Sequence, residues 1–97
     1  MQAKMNNAEY WVSETRPDVL HSHYRKLLQD AGFNVLSEAS AMFDPHGYTV
    51  VWVLSESHLA IHTFPERGKT YIELTSCVEG PFRRFLTIET YAAVESD

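Results

Sequence analysis

Hydrophobic and polar positions along the chain follow two periods. Leu20, Tyr24, Leu27, Leu28 and Ala31 recur every three or four residues, the spacing of one helix face. Thr15-Arg16-Pro17-Asp18 ahead of them reads as a helix start, with a capping hydroxyl, a first-turn proline and an acid three residues after the threonine. Gly32 supplies the stop. Elsewhere the pattern is that of strands. Tyr10–Val12 predicts a short first strand after a frayed polar segment, and Phe33–Met42 a weakly alternating second. Tyr48–Ser55 is rich in β-branched and aromatic residues, as a central strand is. His58–Phe64 and Thr70–Cys77 predict two more strands around a turn at Pro65–Lys69. Asp44-Pro45-His46-Gly47 and Glu79-Gly80-Pro81 are chain breaks. Phe82–Leu86 predicts a short helical turn, and Thr87–Val94 a last strand. The order β-α-β-β-β-β, short helix, β predicts an α+β two-layer sandwich: a mostly antiparallel sheet with helix packed on one face.

Period-two alternation assigns faces in the central hairpin. Leu59 and Ile61, with Ile72 and Leu74, are the apolar positions directed at the helix layer. His58, Ala60 and His62 then point the other way, as do Tyr71, Glu73, Thr75 and Cys77. A histidine pair and the only cysteine are therefore expected on the face away from the helix.

Composition narrows the classes. The 97 residues, with 44% hydrophobic and 12% aromatic, fit one globular domain over residues 1–97. A net charge of −5 argues against a nucleic-acid partner. The longest apolar run, Val50–Leu54, falls far short of the roughly 20 residues of a membrane helix. The first residues carry no apolar signal-peptide core, and one cysteine makes no internal disulfide. A cytoplasmic domain is expected. His58 and His62 would stand about 13 Å apart along a strand, and His21 and His23 on different helix faces, so no metal site is expected.

Taken singly, Ser57 reads as a turn serine, Cys77 as a small buried hydrophobe, Phe43 as core and Glu66 as a solvated charge. Together they lie in a longer pattern. Ser55-Glu56-Ser57-His58-Leu59-Ala60-Ile61-His62-Thr63-Phe64-Pro65-Glu66 resembles the maturation site of prokaryotic-type S-adenosylmethionine decarboxylase proenzymes. Phe43-x-Pro45-x-Gly47 upstream and Cys77 twenty residues after Ser57 extend the resemblance.

The resemblance implies self-cleavage between Glu56 and Ser57, with Ser57 attacking the Glu56 carbonyl and ending as a pyruvoyl cofactor. It implies His62 as the base that removes the Cα proton, with Thr49, in place of the usual serine, as processing support. The pyruvoyl ketone would form a Schiff base with S-adenosylmethionine and accept the electrons of decarboxylation. Cys77 would donate a proton to the product, Glu66 would hold the ribose hydroxyls and Phe43 would stack on adenine. The implied function is supply of the aminopropyl donor for spermidine synthesis, by a homodimer with sites near the protomer interface. Two alternatives stay open: a pyruvoyl-dependent decarboxylase of ornithine or arginine, and a non-processing regulatory homologue. Beyond Cys77 the resemblance fades, and the family's second helix is expected to be cut to a few residues.

Overall fold

The structure, a computed structural model, describes residues 4–91. Five strands and two helices follow one another as β1 (Asn6–Val12), α1 (Pro17–Ala31), β2 (Val35–Met42), β3 (Tyr48–Leu54), β4 (Ser57–Phe64), β5 (Lys69–Ser76) and α2 (Glu79–Ile88). The strands form one sheet in the order β1-β5-β4-β3-β2, every pair antiparallel. Both helices lie on one face of it. The core is the layer between. There Val50, Trp52, Leu59, Ile61, Ile72 and Leu74 of the sheet meet Leu20, Tyr24 and Leu28 of α1 and Phe82 and Phe85 of α2. Burial of this apolar face is the main stabilising term.

Helix α1 begins and ends where its punctuation places it, but its start is held differently. Thr15 does not cap it; Arg16 occupies the cap position without a side-chain cap bond. The Glu14 carboxylate accepts from the Thr15 and Arg16 backbone N–H groups and from the Arg16 guanidinium at 2.9 Å. These bonds, the Arg16 side chain foremost, lower the Glu14 pKa to about 2. Gly32 ends the helix at φ 96°, a left-handed position glycine adopts freely.

The structure corrects the prediction at both ends. Strand β1 starts at Asn6, not Tyr10, because its backbone pairs with β5 from Asn6↔Ser76 onward whatever its side chains. Glu79-Gly80-Pro81 does not break the chain; it opens α2, where a first-turn proline loses nothing because its N–H would have no intrahelical partner. That helix has ten residues rather than a few. Thr87 and Ile88, assigned above to a last strand, are its final residues, and 89–91 form no strand. The remainder of that predicted strand, 92–94, lies outside the described residues.

Two polar latches fix the periphery. Glu38 of β2 accepts from Trp52 Nε1 at 3.0 Å and meets His21 of α1 at 2.8 Å. Glu89, just past α2, is the buried one, its side chain 1% exposed. It accepts from Tyr10 of β1, bonds His23 of α1 at 3.0 Å and accepts from the Tyr91 N–H at 2.9 Å. Burial pushes the Glu89 carboxyl up, but the hydrogen bonds with His23, Tyr10 and the Tyr91 N–H outweigh it and hold the pKa below its ordinary value. Burial likewise raises Tyr10 and Tyr24, so both stay neutral phenols.

Candidate active site

The turn joining β3 to β4 contains just Ser55 and Glu56, since Leu54 pairs directly with Ser57. Glu56 is held at φ 60°, the one non-glycine residue with positive φ among the described residues. For an L-residue this costs roughly 1–2 kcal/mol, because Cβ crowds the following carbonyl. The neighbouring backbone pins the turn there. Ser55 N–H donates to Asn34 O at 3.1 Å, and Cys77 N–H donates to Glu56 O at 3.1 Å. The second bond places a donor on the carbonyl that precedes Ser57, where negative charge would grow on attack by a hydroxyl.

Ser57 opens β4 opposite Ser76 of β5. By alternation it shares the helix-side face with Leu59 and Ile61, and its hydroxyl donates to Ser76 Oγ at 2.7 Å. Cys77 leaves β5 on the other face, exposed, with its thiol 3.2 Å from the Met5 sulfur. Ser57, Glu56 and Cys77 thus meet at one end of the sheet.

The other predicted residues gather at the opposite end. His62 lies between Thr49 of β3 and Tyr71 of β5 in the sheet register. Its Nδ1 shares a 3.0 Å hydrogen bond with Thr49 Oγ1, which fixes the ring and leaves Nε2 as the nitrogen for chemistry. Phe43 is 53% exposed rather than core. Its N–H donates to Gly47 O at 2.9 Å, and its ring lies where a Cβ on Gly47 would come within 3.4 Å. Gly47, at φ 129°, is what lets the loop fold so tightly under the ring. Glu66 follows β4 in a short 3-10 turn (Pro65–Arg67) and pairs with His46 at 3.2 Å. Phe43, His46, Thr49, His62, Phe64 and Glu66 line one cleft of about 550 Å³, within the range of small-molecule sites.

Within one chain these two groups do not touch. Ser57 and His62 are five residues apart on one extended strand, roughly 16 Å by strand rise. The intervening open face is the one predicted from alternation: His58, Ala60 and His62 on β4, with Tyr71, Glu73 and Thr75 on β5, none of them fully buried. Unlike the expectation for a lone cysteine, Cys77 is not a buried hydrophobe. Ser76 was missed by the sequence reading. Its only signal was a polar residue in the core-facing register of Ile72 and Leu74, where it is fully buried. Among the described residues no group of three or more His, Cys, Asp or Glu could hold a metal ion, and no helix is long and apolar enough to cross a membrane.

Fold and site together define a two-layer α+β domain with a serine behind a strained hairpin turn and a polar cleft at the far end of the same sheet. A family profile described as S-adenosylmethionine decarboxylase matches residues 13–93. The chain belongs to that family. The S-adenosylmethionine decarboxylase proenzyme of Archaeoglobus fulgidus is 31% identical over 85 residues, covering 79% of this chain and 76% of that protein. The S-adenosylmethionine decarboxylase proenzyme 2 of Bacillus anthracis is 49% identical over 47 residues, 48% of this chain. That match spans 38% of the length of the Bacillus protein. Among solved structures, the adenosylmethionine decarboxylase of Aquifex aeolicus VF5 shares the fold, with a TM-score of 0.69 at 23% identity over 86% of this chain and 72% of that one.

Proposed function

We propose that this chain is a self-processing decarboxylase of S-adenosylmethionine that cleaves its own Glu56–Ser57 bond. The observation that carries the reading is the turn itself: a left-handed Glu56 whose carbonyl receives the Cys77 N–H, directly before a serine hydroxyl. Ser57 Oγ would bond to the Glu56 carbonyl carbon, the C–N bond would break, and the hydroxyl proton would end on the Ser57 amine. A base must then take the Ser57 Cα proton so that the ester is eliminated and the chain parts. His62, held through Nδ1 by Thr49, suits that work by its side-chain chemistry.

The residues at the turn fit a pyruvoyl group made from Ser57, because the parent hydroxyl directly follows a strained position; elimination would leave a dehydroalanine there, and one water in and ammonia out would give the ketone. Once formed, the ketone supplies the electron sink for loss of carbon dioxide. Cys77 holds the proton for the product at Sγ. Phe43 offers an exposed ring to adenine and Glu66 a carboxylate to ribose hydroxyls in the cleft beside His62.

A roughly 16 Å span separates the Ser57 end from the His62 end. Two copies stacked on their open faces with strands reversed would set the Ser57 end of each against the His62 end of the other. A twofold pair would complete two sites at once. We therefore assign the working form as a homodimer in which each site draws on both chains, serving polyamine synthesis in the cytoplasm. The nucleoside-sized cleft and the family match favour S-adenosylmethionine over ornithine or arginine.

Carbon dioxide release from carboxyl-labelled S-adenosylmethionine, ornithine and arginine by the cleaved protein tests the substrate. Release from S-adenosylmethionine alone is expected. Release from an amino acid alone, or none from a fully cleaved sample, contradicts the assignment.

A further inference from the structure

Ser76 is a polar side chain with no solvent exposure at the end of a core-facing strand register. Its hydroxyl is fully engaged. Ser76 Oγ accepts from the Ser57 hydroxyl at 2.7 Å and from the Val78 N–H at 2.9 Å, and it donates to Val78 O at 3.2 Å. One donor and two acceptor sites are all a serine hydroxyl has, so its orientation is set on three sides. The next residue supplies the N–H that meets Glu56 O. Two consecutive residues of one strand end therefore hold both reacting groups, the nucleophile through a side chain and the carbonyl through the backbone.

We infer that Ser76 is a positioning residue for self-cleavage, aiming the Ser57 hydroxyl for attack on the Glu56 carbonyl. Ser57 has one hydroxyl proton, and Ser76 takes it as a hydrogen bond, so the lone pairs of Ser57 Oγ are turned away from Ser76. The Val78 N–H and carbonyl keep Ser76 from rotating to any other partner. Ser76 is no base: its own proton is committed to Val78 O, and His62 remains the residue assigned to proton removal. The role ends when the serine has become the pyruvoyl group. Ser76 is thereby distinguished from Cys77, whose assigned work begins after that point. This inference rests on the self-processing reading given above.

The test follows first-order cleavage of purified full-length protein by intact mass, for wild type, Ser76→Ala and Ser76→Thr, with a thermal melt of each uncut chain in the Ser57→Ala background. Loss of one positioning hydrogen bond should slow Ser76→Ala about tenfold. Ser76→Thr, which keeps the hydroxyl, should cleave within about threefold of wild type. The conservative variant reads a hydroxyl's role that a purely structural one would not show. Cleavage of Ser76→Ala at the wild-type rate overturns the inference. So does a Ser76→Thr chain that melts like wild type yet is as slow as Ser76→Ala. Should Ser76→Ala fail to fold, Ser76→Thr decides alone: wild-type cleavage supports the role, and a tenfold loss in a folded chain rejects it. A wild-type chain that never cleaves strikes the processing reading itself, and the role of Ser76 falls with it.

Discussion

Glu56 has a conformation its side chain disfavours, and the backbone around it leaves no easy exit. Asn34 O and the Cys77 N–H hold the turn from two neighbouring segments. A strained residue followed at once by a serine hydroxyl places strain at the bond proposed to break. The candidate residues stood out in the sequence because they belong to a long and chemically unusual motif. What the motif could not convey is which atoms meet: that the Cys77 backbone, and not only its thiol, faces the scissile carbonyl, or that Ser76 receives the Ser57 hydroxyl. In the proposed mechanism Cys77 serves two steps through two groups. Cys77→Ala keeps the N–H and loses the thiol, so it should process within about threefold of wild type while decarboxylation falls by at least about tenfold. Mass spectrometry of the variant reads the first and carbon dioxide release the second. A Cys77→Ala enzyme with full turnover would assign the proton donor elsewhere.

At the scale of elements, alternation was readable in the β4–β5 hairpin, where the paired aliphatic residues face one core. Leu59, Ile61, Ile72 and Leu74 are all fully buried, as their period requires. Helix α2 was harder to read. Gly80-Pro81 imitates a chain break, and Thr87-Ile88 are better strand formers than helix formers. Phe82 and Phe85, three apart and buried, override both by packing on the α1 layer. Glu89 then ties the end of α2 to β1 and α1 through Tyr10 and His23. Because its folded pKa lies below its ordinary value, Glu89 contributes stability at neutral pH that is lost as pH falls below about 4.5. Glu14, lowered to about 2, extends the acid loss down to that pH. Replacing Glu89 by Gln should cost about 2–3 kcal/mol at pH 7, since buried donors lose a charged acceptor. It should also flatten the decline between pH 5 and 3. Urea melts at pH 7, 5 and 3 measure both effects, and equal stability of the variant at pH 7 would refute the assigned role.

For the whole molecule, the candidate residues divide between the two ends of one sheet. Ser57 and Cys77 stand at one end, and Phe43, Thr49, His62 and Glu66 at the other. The five-residue span from Ser57 to His62 could be counted in the sequence once both fall on β4. Its consequence needed the observed strand to be extended without a bulge, in continuous register with both neighbours. A site shared between copies makes a sharp prediction. Ser57→Ala and His62→Ala chains should each stay uncut alone. Coexpressed, they form mixed dimers in which one site is whole, and the His62→Ala chain should then be cleaved. Mass spectrometry of the mixture identifies which chain is cut. Absence of any cleavage in a mixed dimer confirmed by differential tags would place each site within one chain.

Whether the Glu56–Ser57 bond opens by the chain's own chemistry is read from an intact mass spectrum of purified protein incubated at neutral pH. Two species are expected, residues 1–56 and residues 57–97, the second beginning with a pyruvoyl group, while Ser57→Ala remains whole. A wild-type chain that stays a single 11.1 kDa species, or a Ser57→Ala chain that is cut at the same bond, would contradict it.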